Sequence, residues 1–200
     1  MMRYTITNIT SYEIKILRSR FIAFLYPIEN AEDVKNMLTE HGKLYSDATH
    51  NCYAYILGLN QETTYYSDAG EPGGTAGKPI LNAMLRAEMC NCLAVVTRYY
   101  GGIKLGVKGL IESYGSVVSA CIAETNLIEA KELVSYAVTC AYPLFETLKH
   151  QLTELEAEFC DIAYGQEVSF TLHIPVAHQK ELNEILAGYA SQNRLNYQVE

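Results

Sequence analysis

Apolar and polar residues alternate with period two over Glu13 to Leu17, break at Arg18-Ser19-Arg20, and resume from Phe21 to Ile28, with Pro27 and Asn30 marking the end. That pattern predicts two half-buried strands joined as a hairpin. A looser alternation over Arg3 to Asn8 predicts an edge strand. Asn30 is placed to cap a helix running to Glu40, with Val34, Met37 and Leu38 on one face and Gly42 as its stop. Asn51 to Leu59 reads as an apolar, aromatic strand, and Thr63 to Ser67 as its pairing neighbour. The segment SDAGEPGGTAGKP at 67–79 is a loop by every local sign, and Pro79 suits the first turn of the helix that follows, through about Met89. Leu93 to Tyr99 is a continuous apolar run, the signature of a central strand. Tyr100 to Gly109 reads as a second glycine loop and Leu110 to Thr125 as a helix.

Polar residues from Asn126 to Lys131 suggest a boundary, with domains over 1–128 and 132–200. The rest reads as strand (Leu133–Ala141), helix (Pro143–Glu158), strand (Cys160–Tyr164), strand (Glu167–Ile174), helix (Pro175–Tyr189) and strand (Leu195–Val199). The order β-α-β-β-α-β fits a ferredoxin-like split βαβ unit. The fold class expected for the whole chain is therefore α+β.

Charge sharpens this division. The chain has 200 residues, 49% of them hydrophobic and 19% charged, with a net charge of −8. It has material for a core, and it is not globally basic in the manner of a histone-like nucleic-acid binder. Residues 1–130 hold 11 basic and 13 acidic side chains, whereas residues 131–200 hold 4 and 10. Against that acidity, the stretch from Thr75 to Leu110 carries five basic residues (Lys78, Arg86, Arg98, Lys104, Lys108) and one acid, Glu88. No apolar run is long enough to cross a membrane. The opening MMRYTITNIT lacks a secretion signal, so a cytoplasmic location is expected, with the six cysteines as reduced thiols. Cys90 and Cys92 form the most metal-like pair, but no second close pair accompanies them; a helix end running into a buried strand accounts for both. Neither a metal nor a cofactor is expected.

Basic and glycine-rich together is a composition suited to meeting an anion. In the first loop Gly73 and Gly74 clear the turn, Thr75 is placed to cap the next helix, and Gly77 and Lys78 add free amides and a cation. In the second, Arg98 leaves the strand end, Gly101 and Gly102 turn the chain, and Lys104 and Lys108 bracket the following helix start. If the loops are neighbours they form one concave anion site. The competing account is that such glycines serve only close packing and positive φ. Tyr99 and Tyr100 are candidates to stack on bases, with one of them expected to face the core. Asp68 and Glu71 could hold a cation or move a proton; carboxylates so placed also bond to loop amides and stabilise turns. His50 and Cys52 lie two apart on a strand without an identifiable orienting group, so His50 is assigned to the polar cleft and no catalytic residue is assigned.

Three long motifs, DATHNCYAY at 47–55, GEPGGTAGKPIL at 70–81 and VVTRYYGGIKLG at 95–106, together with RSRFIAFLYPIENAED at 18–33, make the chain resemble the bacterial, YigZ-like branch of the IMPACT family. The family commonly carries a serine where Gly73 stands. Its LGTGGLVRAY-type run is LGVKGLIESY here, which gains Lys108 and places Glu112 where a base is common. The resemblance implies an N-terminal α/β sandwich like the second domain of a small-subunit ribosomal protein, and a C-terminal domain like the last domain of elongation factor G. It implies a role in regulating translation and no accepted catalytic chemistry. The leading reading is a non-enzymatic protein that contacts RNA, the ribosome or a translation factor through the basic glycine-loop cleft, with a small-molecule anion as a further ligand. An enzyme acting on a small phosphorylated or metal-bound substrate in that cleft, and a pure protein-interaction module, are the alternatives.

Overall fold

The computed structural model describes residues 2–199; Met1 and Glu200, the outermost residues of the two expected domains, lie outside the described residues. The chain divides into two compact units, one through Ala130 and one from Lys131 onward. The first contains β1 (Tyr4–Thr5), β2 (Thr10–Ile16), β3 (Ser19–Pro27), α1 (Ala31–Leu44), β4 (His50–Leu57), β5 (Thr63–Ser67), α2 (Gly77–Arg86), β6 (Cys92–Tyr99), α3 (Gly106–Ala123) and β7 (Ile128–Glu129). Five strands form an antiparallel sheet in the order β2-β3-β6-β4-β5, and β1 pairs with β7 as a separate ribbon.

Helices cover both faces of the sheet, and this explains why β6 is apolar without interruption. Ala94 and Val96 pack with residues of α2 and α3 such as Ile80, Met84, Val117 and Val118. Leu93 and Val95 point the other way and join Val34 of α1. A central strand buried on both faces has no solvent-facing positions to alternate with, and its two polar residues, Thr97 and Arg98, are themselves buried, whereas β2, on the edge, alternates between half-buried and exposed residues along its length. The unit is an α/β sandwich.

Several element ends differ from the sequence expectation, and three of them shape the unit interiors and the loops. α1 starts as expected: the Asn30 side chain accepts from the amides of Glu32 and Asp33, and Asp33 returns a bond to the Asn30 amide, a box worth about 1 kcal/mol. It does not stop at Gly42 but continues to Leu44. His41, in its last turn, is buried and held by the Tyr26 hydroxyl at 2.6 Å and the Thr97 hydroxyl at 2.7 Å, and these anchors offset the roughly 1 kcal/mol cost of a helical glycine. α3 begins at Gly106, before the expected Leu110, so Lys108 lies in its first turn. The helix expected to reach Glu158 ends at Gln151; a short 3-10 turn over Thr153–Leu155 follows, and Glu156 adopts a left-handed conformation (φ 54°) that turns the chain into the next strand.

The second unit contains β8 (Leu133–Cys140), α4 (Tyr142–Gln151), β9 (Glu158–Tyr164), β10 (Val168–Pro175), α5 (Gln179–Ala190) and β11 (Leu195–Val199). Its four strands are antiparallel in the order β11-β8-β10-β9. This is the ferredoxin-like arrangement. One face carries Tyr136, Val138, Phe170 and Leu172 into a core shared with Phe145, Leu148, Leu182 and Leu186 of the two helices. Among the described residues of the chain, no helix is long and apolar enough to cross a membrane.

Candidate functional site

Register places the polar centre of the N-terminal unit. Arg98 stands opposite Phe21 on β3 and opposite His50 on β4, so the three side chains form a row on one face of the sheet. Phe21 belongs to the core beneath α2 and α3, and Arg98 accordingly points inward. Its guanidinium lies 5.2 Å from the centroid of Phe21 and 5.4 Å from that of Tyr100. Nη1 donates to Glu71 Oε1 at 2.5 Å, with the two side chains only 6% and 4% exposed. The same carboxylate oxygen accepts from the Tyr114 hydroxyl at 2.8 Å, and His50 Nε2 lies 4.0 Å from it. His50 Nδ1 is 2.9 Å from the Ala69 carbonyl, which can only accept, so the ring carries its proton on Nδ1. Ser19 Oγ accepts from Arg98 Nη2 and from the Gly101 amide.

Arg98 is therefore not a free cation at the end of a strand. It is half of a buried ion pair that ties the first glycine loop to the sheet. A buried charge without its partner is costly, which makes this pair a strong positional constraint on Glu71 and on the loop around it.

The amides of that first loop are likewise occupied. Asp68 accepts from the backbone N–H groups of Gly74, Ala76 and Gly77 at 2.8–2.9 Å. The residue at the helix boundary is Ala76, with no side-chain cap of its own; Asp68, from the end of β5, supplies the cap instead. Burial opposes ionisation of Asp68, but the three amides outweigh it and hold the carboxyl below its ordinary range. Thr75 does not cap α2: it is buried and its hydroxyl donates to the Pro72 carbonyl at 2.6 Å. Gly77 is a packing glycine, since a Cβ there would lie 2.7 Å from the backbone of Ser67. Asp68 and Glu71 thus serve the loop and the ion pair rather than a shared cation.

Cys52 is buried between the loop and α3. Its thiol donates to the Asp68 carbonyl at 2.9 Å and lies 3.4 Å from the Tyr114 hydroxyl. Burial pushes its pKa up to about 12, only partly opposed by the Tyr114 contact, so the thiolate that nucleophilic chemistry needs is suppressed. Burial also raises the Tyr114 hydroxyl far above its ordinary value. Cys90 and Cys92 are buried. Among the described residues, no three His, Cys, Asp or Glu side chains are grouped as metal ligands.

The remaining candidates lie outward. Lys78, Lys104 and Lys108 are exposed, and Lys108 sits 3.8 Å from Glu112 one turn along α3. Neither tyrosine faces the core: Tyr99 is half-buried, its hydroxyl donating to Asp47 and its ring under Arg20, while Tyr100 is exposed. Gly102 is exposed with φ 86°. A Cβ on Gly101 would lie 2.1 Å from the backbone of Arg18, so only glycine lets the second loop press against the β2–β3 turn. That close approach brings the turn carrying Arg18 to the loop that precedes Lys104, while Arg20, opposite Tyr99 in the register, lies over the Tyr99 ring on the other face of the sheet. Sequence reasoning missed these two arginines, along with Ser19 and Tyr114. The RSR break between two alternating strands was the visible signal for the arginines. Tyr114 reads as an ordinary core aromatic until the register shows what its hydroxyl meets.

Comparison with known proteins finds matches in both parts of the chain. The Impact N-terminal domain matches residues 17–122, and a domain of unknown function (DUF1949) matches residues 138–187. IMPACT family member YvyE of Bacillus subtilis (strain 168) is 33% identical over 180 residues, covering 90% of this chain and 82% of that protein. IMPACT family member YigZ of Escherichia coli (strain K12) is 30% identical over 178 residues, covering 88% and 87%. A solved structure described as "Crystal structure of an hypothetical protein" superposes with a TM-score of 0.69 at 28% identity, over 98% of this chain and 96% of that one. The loops, the buried pair and the basic end all fall inside the matched N-terminal region, and with similarity running through both units the chain belongs to the IMPACT family.

Proposed function

We propose that this protein is a non-enzymatic, cytoplasmic binding protein that attaches to the translation machinery through the basic end of its N-terminal unit. The observation that carries the reading is that Arg18, Lys104 and Lys108 are exposed together with Tyr100, with the second glycine loop pressed against the Arg18 backbone. Among the described residues, Lys108 of these three cations has a carboxylate within ion-pair distance, Glu112. A cationic end on a chain of net charge −8 favours a defined partner over loose association, because the rest of the surface repels polyanions. The buried Glu71–Arg98 pair and the Asp68 cap hold the neighbouring loop in place rather than binding the partner. The absence of a thiolate nucleophile at Cys52 and the structural use of both loop carboxylates weigh against the enzyme alternative.

The test is sedimentation with purified ribosomes at graded salt, comparing the wild type with the double variant Lys104→Glu/Lys108→Glu. The expected result is retention that falls with salt, by a log–log slope of about −0.7 to −0.9 per phosphate contact where RNA is touched, and that is lost in the double variant. Equal retention of both proteins overturns the reading.

A further inference from the structure

The basic end is not only basic. Leu17, Tyr100, Ile103, Val107 and Ile111 are between 38% and 62% exposed, and they intersperse the same cations. Val107 and Ile111 are one turn apart on α3 and share a face, and Lys104 and Lys108 stand one turn apart beside them. Ile103 and Tyr100 precede them in the loop, and Leu17 adjoins Arg18, against whose backbone Gly101 is pressed. The loop before α3 and its first two turns thus form a knob that exposes Ile103, Lys104, Val107, Lys108 and Ile111, with Glu112 beside Lys108. Single exposed apolar residues are ordinary on a protein surface, but a contiguous set rimmed by like charges marks an interaction site.

We propose that this knob docks on an acidic, amphipathic segment of a partner protein: a helix or strand with aliphatic side chains at its centre and carboxylates along its margins. The inference rests on the reading above and names the chemistry of the partner at that same surface. Charge complementarity selects the carboxylates, and the five apolar side chains select what lies between them. An RNA backbone would satisfy the lysines and arginine yet leave Val107, Ile111 and Ile103 in water, and of these five apolar side chains Tyr100 alone offers a stacking ring. A phosphate chain also brings one negative charge per nucleotide towards a protein of net charge −8, whereas a short segment with a few carboxylates meets less repulsion. An anionic membrane is matched poorly by an apolar surface only two helical turns long.

Two variants separate these partners. Val107→Ser/Ile111→Ser removes the aliphatic surface and leaves every charge, while Lys104→Glu/Lys108→Glu does the reverse. All four positions are exposed, and matching circular dichroism and urea midpoints establish that the variants fold. The probes are a synthetic helical peptide with Leu at i, i+4 spacing flanked by Glu, poly(U) RNA, and phosphatidylcholine vesicles containing one-third phosphatidylglycerol. The expected result is that the wild type prefers the peptide, and that each double variant weakens peptide binding by about tenfold or more, the effect of losing one well-buried aliphatic contact or its charge partners. Tighter binding to poly(U) or to vesicles overturns the proposal. So does a wild-type protein that ignores the peptide, or a Val107→Ser/Ile111→Ser variant that binds it undiminished. On purified ribosomes, loss of retention in both double variants supports the proposal. Loss in the charge-reversed variant alone overturns it while leaving the proposed function standing, and loss in neither removes both.

Discussion

The N-terminal unit buries Ser19, His41, Thr75, Thr97, Arg98 and Ser113, while among the described residues the C-terminal unit buries no charged side chain and no side chain more polar than Tyr136, whose hydroxyl donates to Asn183. Both units are sheets covered by helices, and both have continuous apolar cores. On the open face of its sheet the ferredoxin-like unit pairs Ser135 with His173 and Thr139 with Ser169. An apolar core is therefore enough to hold a unit of this size together, and the polar interior of the first unit does something else. Apolar packing is non-directional, whereas hydrogen bonds and a buried ion pair fix distances and angles. The N-terminal unit uses them to hold loops and helix ends in one arrangement next to its basic surface.

Breaking the ion pair has the largest expected effect. Glu71→Ala leaves the Arg98 guanidinium buried and uncompensated, and costs the N-terminal unit about 3–5 kcal/mol. Glu146→Ala in α4 removes the exposed partner of Lys149 (the two side chains are 67% and 39% exposed) and costs under about 1 kcal/mol. Urea unfolding combined with hydrogen exchange of β6 and β10 amides assigns each loss to its unit, and equal effects of the two substitutions would dissolve the contrast between them.

The next effect is a pH dependence rooted in His41. Thr97 donates its only hydroxyl proton to Asn51 Oδ1, so His41 Nε2 donates to Thr97 and Nδ1 accepts from Tyr26. The ring is built into the fold as neutral imidazole. Burial lowers its pKa to about 4, against an opposing hydrogen bond involving Asn51. The unfolded chain takes up this proton below about pH 6.5 and the folded chain only near 4, so stability is lost as pH falls through that window, by roughly 3 kcal/mol at its lower end. Amide protection factors in α1 and β6 measured between these limits should fall as pH falls in the wild type. His41→Gln should flatten the dependence, and an unchanged slope in that variant would place its origin elsewhere.

The smallest effect is at the cap. Asp68→Ala removes an acceptor from three amides and should cost about 1 kcal/mol, within the range of helix N-caps. Because the folded-state pKa of Asp68 is depressed, its contribution is present above the ordinary carboxylate range and fades as pH falls below about 4. A thermal melt of the variant that matches the wild type at neutral pH would show that water replaces the carboxylate without loss.

Much of this architecture was legible from residue pattern. The β2–β3 hairpin, the Asn30 cap, the unbroken apolar run of β6 and the β-α-β-β-α-β order of the second unit are local signals read with local physics. The two glycine loops and their cations were also visible. Their chemistry was not, because it depended on partners far away in sequence: Glu71 meets Arg98 across 27 positions and Tyr114 across 43. The helix ends that moved have the same cause, since Gly42 is a stop signal only until a buried His41 anchors the turn around it.

Composition and periodicity, by themselves, determined which segments become strands and helices, that the chain falls into two differently charged parts, and that its basic residues gather near glycines. Only the tertiary structure decided which of those basic residues are buried and which meet solvent. Strand register turned Arg98 inward onto a carboxylate, and the close approach of Gly101 to Arg18 set the exposed Arg18 turn against the second loop. Whether a cation is a ligand or a brace depends on what surrounds it within a few ångströms, and that surrounding is assembled only when distant segments pack.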